Sequence, residues 1–160
     1  MKKLFRAFLI LSVFTMGSFN SVFASHISGG DISYECVGQD SFLITLNLFR
    51  DCDGINAPAS APMTFTSTCG GTANITLTKQ SGFEISQLCS SQLPNSTCNG
   101  GTWPGMEQHT YTGIVVLAPP CNTWTMSWSS CCRNAQIDNL TAPGGLNTYL
   151  YSTMYSGVDS

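Results

Sequence analysis

The sequence predicts an all-β fold, an antiparallel β-sandwich of immunoglobulin-like or related type, stabilised by disulfides. Three observations carry this. Apolar and polar residues alternate at period two in several separate runs, and no stretch after the first 24 residues shows a helical period. Segments rich in Gly, Pro, Asn and Asp separate these runs at the spacing of short strands. Eight cysteines, Cys36, Cys52, Cys69, Cys89, Cys98, Cys121, Cys131 and Cys132, all fall after the first 24 residues.

Those first 24 residues have the three parts of a secretory signal: Lys2, Lys3 and Arg6, then the apolar stretch Ala7 to Phe14, then the small-residue exit Val22-Phe23-Ala24. The apolar stretch falls well short of the roughly 20 residues that span a bilayer. Cleavage after Ala24 leaves residues 25–160 as a single β-rich extracellular module with no integral membrane segment. The first cysteine stands at 36, which argues against a lipid anchor at the new N-terminus. Localisation is therefore secreted or cell-surface. In an oxidising destination the eight cysteines are read as disulfides rather than zinc ligands, since no C-x₂₋₄-C pair is present.

The strands follow in order. Phe42, Ile44, Leu46 and Leu48 alternate with polar residues in one buried-face strand, and Ala73, Ile75 and Leu77 alternate with Thr and Asn in another. A β-rich run covers Thr110 to Leu117. Trp124, Met126 and Trp128 alternate with Thr and Ser, which places both tryptophans in the core. A last strand runs from about Thr148 to Tyr155. Turn-rich segments lie between, among them DCDGINAPASAP and CSSQLPNSTCNGGTWPG. The second holds two cysteines, so a local staple from Cys89 to Cys98 is expected. Adjacent residues of a strand face opposite ways, so Cys131 and Cys132 are expected to bond two different segments. The chain stops at Ser160 soon after the last strand, and its C-terminal end is expected to be a truncation.

Charge narrows the partners. The whole chain carries six Lys and Arg against nine Asp and Glu; without the signal only Arg50, Lys79 and Arg133 remain against the nine, a formal charge of −6. Nucleic acid and anionic membrane both call for clustered cations. Neither suits this chain, and the partner expected is a protein or a glycan at the cell surface.

The residues that carry chemistry are few. Arg50 and Arg133 each lie beside a cysteine and are read, with Asn134, as structural residues that satisfy strand-end carbonyls or nearby acids. Asp51-Cys52-Asp53-Gly54 resembles the first turn of a calcium loop without its later ligands, so Asp51 and Asp53 are a weak calcium candidate and an acidic turn is the preferred reading. Asn74, Asn95 and Asn139 begin N-x-Ser/Thr sequons. Trp103, in a Gly/Pro loop, is the candidate for ligand contact. With Tyr149, Tyr151 and Tyr155 it supports an alternative as a carbohydrate-binding module. A secreted enzyme is the weakest reading, because nothing in the sequence links His26 or His109 to a thiol. No catalytic residue, resident metal or cofactor is expected.

SHISGGDISYECVGQDSFLITLNLFRDCDGI, together with SWSSCCRNAQIDNLTAPGGLNTYLYSTM near the other end, resembles the N-terminal module of large secreted surface proteins of gliding Bacteroidota. The markers are His26 to Gly30 (His-x-x-Gly-Gly), Arg50-Asp51-Cys52, and Cys131-Cys132-Arg133-Asn134 followed by a Pro-Gly loop and a Tyr-rich strand. The resemblance implies a β-rich module that precedes polycystic-kidney-disease-type (PKD) repeats and a C-terminal sorting domain read by type IX secretion, neither of which this chain contains. It also implies a gliding-motility-associated or adhesin-like role, with no catalytic residues. The function expected is that of a non-enzymatic structural or adhesive module.

Overall fold

The structure, a computed structural model, describes residues 26–155 apart from 119, 134–136 and 138. The segment read as a secretory signal, Asn134 and the end of the chain lie outside the described residues. Among the described residues there are seven strands: β1 (Ile27–Gly38), β2 (Ser41–Asp51), β3 (Ser60–Ser67), β4 (Thr72–Glu84), β5 (Met106–Val116), β6 (Thr123–Ser130) and β7 (Thr148–Tyr155). Three single 3-10 turns, Leu93–Asn95, Thr97–Asn99 and Pro143–Gly145, lie in the connections.

All seven strands join one antiparallel sheet in the order β1-β2-β5-β4-β3-β6-β7, curled nearly into a barrel. The all-β, antiparallel expectation holds. Hydrogen bonding does not divide the strands into two separate sheets, and the reason lies in β4. Its residues Thr72 to Thr78 pair with β3, while Thr78 to Glu84 pair with β5, with a register shift between Lys79 and Ser81. A strand that changes partners at an irregularity turns a corner in the sheet.

The bend brings the two ends of the strand order together. The Tyr155 backbone N–H donates to Tyr34 Oη at 3.3 Å, linking β7 to β1. Gly30 of β1 sits so close to β7 and β2 that an added Cβ would lie 2.8 Å from Leu150 Cδ1 and 2.3 Å from the Asn47 carbonyl oxygen. Only glycine fits there.

The core fills the curl. Phe42, Ile44, Leu46 and Leu48 of β2 face inward with Met63 and Phe65 of β3, Leu77 of β4, and Trp124, Met126 and Trp128 of β6. Each such side chain contributes about 1.5–3 kcal/mol when fully buried. Tyr111 of β5 is fully buried and donates its hydroxyl to the Pro58 carbonyl at 2.8 Å, which spares the core an unpaired polar atom. That burial pushes its phenol pKa up.

The disulfides correct two expectations. Cys98 pairs with Cys52 rather than with Cys89, and Cys69 pairs with Cys121. The Cys52 N–H donates to the Gly105 carbonyl at 3.1 Å, which lays the loop before β5 onto the turn after β2 and brings the Cys52 and Cys98 Cα atoms to 4.9 Å. Cys131 and Cys132 are bonded to each other, not to two separate segments. They lie just past the end of β6, and Cys132 takes a left-handed φ of 72°. The opposite-facing rule of an extended strand therefore does not apply. Cys36 and Cys89 are free and exposed, so six of the eight cysteines are bonded where all eight were expected to be.

Candidate functional site

The last inward position of β2 is occupied by Arg50, not by an apolar residue, and 6 % of it is exposed. Its register partner on β5 is Glu107. Arg50 Nη1 donates to Glu107 Oε2 at 2.5 Å, Nε donates to the Ile55 carbonyl at 2.5 Å, and Nη2 donates to the carbonyls of Gly54 at 2.7 Å and Cys52 at 3.2 Å. The guanidinium thus holds the whole turn after β2 against the end of β5.

Two residues along β5, on the same inward face, His109 Nε2 lies 2.9 Å from Glu107 Oε2. The ring is buried and stacked against Gly82 of β4, where an added Cβ would lie 2.4 Å from Nδ1. Nδ1 is buried with no hydrogen-bond partner. Burial pushes the Glu107 carboxyl up, but the hydrogen bonds from His109 and Arg50, with the Arg50 charge, outweigh it and hold the carboxyl below its ordinary value.

Outside this cluster a cleft of about 300 Å³ is lined by Asp51, Ile85, Ser86, Gln87, Pro104, Gly105 and Met106. Its wall is tied to the disulfide-bonded loop. Ser86 Oγ donates to Glu84 Oε1 at 2.6 Å and accepts the Met106 N–H at 2.9 Å, and Asn99 Nδ2 donates to Glu84 Oε2 at 2.8 Å. Hydrogen bonds from Ser86 first, then Ser96 and Asn99, hold the Glu84 carboxyl below its ordinary value.

The metal question turns on the donor set. Donor atoms of Cys52, Cys98 and Glu107 lie within 4.8 Å of one another, but the two sulfurs are joined in a disulfide, which leaves one carboxylate as a ligand. Asp51 and Asp53 form an acidic turn in which Asp51 Oδ1 accepts the Asp53 N–H at 3.1 Å.

The remaining sequence candidates are dispersed. Trp103 sits on the disulfide-bonded loop, fastened by backbone bonds to Asn95 and Thr97, with 52 % of its surface exposed. Arg133 donates Nε to the Asn147 carbonyl at 3.0 Å and its N–H to the Leu146 carbonyl at 2.9 Å, fixing the turn after β6 to the start of β7. Tyr149, Tyr151 and Tyr155 project outward from β7. Sequence reasoning did not bring Glu107 and His109 to Arg50. The usable signal was an acid and a histidine two apart in a β run, on the parity of the buried Tyr111. Comparison with family models, curated proteins and solved structures finds no match.

Proposed function

We propose that the chain is a non-enzymatic structural or adhesive module of a secreted or cell-surface protein, of the kind that opens the large surface proteins of gliding Bacteroidota. The observation that carries this reading is how the strongest polar groups are used. Arg50 directs its hydrogen bonds to three backbone carbonyls and one carboxylate, and Glu107 is shared between Arg50 and His109. These groups rivet loops to strands. Two long-range disulfides do the same at Cys52–Cys98 and Cys69–Cys121, and bonds of this kind belong to an oxidising compartment. Among the described residues no helix is long and apolar enough to cross a membrane.

In architecture, we read this single sheet, bent at β4 and curled nearly into a barrel, as a relative of the immunoglobulin-like sandwiches. Its use is to hold an outer surface rigid toward a partner.

The test is an antibody raised against residues 25–160 and applied to intact exporting cells. It is expected to label the cell surface and to reduce attachment of those cells to a substratum. Labelling confined to lysed cells, or unchanged attachment by labelled cells, contradicts the reading.

A further inference from the structure

We propose that the outer face of β7, β6, β3 and the first half of β4 binds an uncharged polysaccharide, with Tyr149, Tyr151 and Tyr155 as its aromatic grip. In naming what is adhered to, this rests on the reading of the chain as an adhesive module.

Charge is the first observation. Asp, Glu, Lys and Arg make up 9 % of the chain, against about 25 % in typical soluble domains. The shortage is uneven. Residues 60–67, 72–78, 123–130 and 148–155, which form this half of the sheet, contain none of the four, whereas β1 carries Asp31 and Glu35 and the second half of β4 carries Lys79 and Glu84. An ionic partner finds nothing to pair with on this face. A neutral sugar, which offers hydroxyls and C–H faces, loses nothing by the lack of charge.

The second observation is what the face presents instead. Register places Tyr151, Ser127, Thr64 and Asn74 in one row across four strands, all pointing outward, and Thr64 Oγ1 donates to Asn74 Oδ1 at 3.0 Å. Rows of hydroxyl and amide groups both donate and accept, as a chain of sugar hydroxyls requires.

The tyrosines are the third. β7 pairs with β6 without a register shift, so Tyr149, Tyr151 and Tyr155 share one side over about 20 Å of strand. They are 56 %, 67 % and 68 % exposed, more than Trp103 or Phe83. The Tyr149 and Tyr151 rings are nearly parallel, at 28°, with centroids 6.0 Å apart. Rigid rings with a polar tip give large contact area at small entropic cost. Strand propensity accounts for Tyr in β7, but not for three exposed rings beside a half-sheet free of charge.

The experiment is retention of the oxidised mature chain on cellulose, chitin, xylan and mannan, with alginate and pectate as anionic controls. The chain is expected on at least one neutral polysaccharide and on neither anionic one, with little loss at high salt. The double variant Tyr149→Ala/Tyr151→Ala is expected to bind about tenfold more weakly at an unchanged melting temperature. Tyr149→Phe/Tyr151→Phe retains most of the binding, and Trp103→Ala all of it. Retention on no neutral polysaccharide, binding abolished by salt, or binding lost with Trp103→Ala but kept in the double Ala variant overturns the assignment. If the antibody still blocks attachment while no neutral polysaccharide is retained, the glycan assignment falls and the adhesive reading stands; if both fail, both fall.

Discussion

Arg50 and Glu107 are direct cross-strand partners on β2 and β5, and their side chains meet at 2.5 Å from positions on the inward face of the sheet. A charge at the end of an apolar row is tolerated because its hydrogen bonds are made. Removing the buried Arg50 is costly, about 3–5 kcal/mol, because the Ile55, Gly54 and Cys52 carbonyls lose their donor and Glu107 loses its charged partner.

Arg50→Ala is therefore expected to destabilise the oxidised protein by about 3–5 kcal/mol in urea unfolding, and Arg50→Lys by less, since an ammonium keeps the charge opposite Glu107 but cannot reproduce the fork to Ile55, Gly54 and Cys52. A loss under about 1 kcal/mol for Arg50→Ala would place the guanidinium outside the frame of the fold.

Glu107 sets an acid dependence. Its carboxyl is held below the ordinary glutamate value of 4.5, so the folded state binds that proton less readily than the unfolded chain. The resulting stability is complete above the ordinary value and is lost as pH falls through the lower, folded value. The stability difference between wild type and Glu107→Gln is expected to shrink steadily as pH is lowered from about 5. A difference constant down to pH 2 contradicts the pairing.

The disulfides separate by the loops they close. Cys52–Cys98 and Cys69–Cys121 span 46 and 52 residues, so removing either with paired Ser substitutions is expected to cost about 4 kcal/mol. Cys131–Cys132 spans one residue and closes no loop, so its removal leaves global stability nearly unchanged. Native protein is expected to label at Cys36 and Cys89 before reduction. A peptide linking Cys89 to Cys98 in a non-reducing digest would refute this map.

Gly82→Ala tests the floor beneath His109. The added methyl would lie 2.4 Å from the ring Nδ1, and the buried ring has little room to retreat. A loss of about 1–3 kcal/mol is expected from this overpacking. If His109→Ala in the same background restores stability toward the level of His109→Ala alone, the clash is located at the ring.

Legibility in the sequence followed the alternation. Strands with one wet and one dry face, β2, β6 and β7, were readable almost to their ends. β3 was not, because Pro62 and the preceding PAS residues read as a turn while Ala61, Met63 and Phe65 alternate inward. β1 was not either, since after Ile27 it is largely exposed and contains Gly29 and Gly30. The second half of β4 was hidden by the register shift at Lys79 to Ser81, which breaks the period. Disulfide pairing depends on which loops the fold lays together, and eight cysteines allow about 105 pairings. The Arg50 cluster joins residues 57 positions apart, so it emerged only with the β2–β5 register.

The most direct test of the central claim is attachment of beads coated with purified residues 25–160 to the substratum that the producing cells colonise. Beads carrying oxidised protein are expected to attach, and beads carrying reduced and alkylated protein to lose most of that attachment, because the surface is presented only while Cys52–Cys98 and Cys69–Cys121 lock the barrel. Equal attachment by both preparations, or by neither, would contradict a rigid adhesive module.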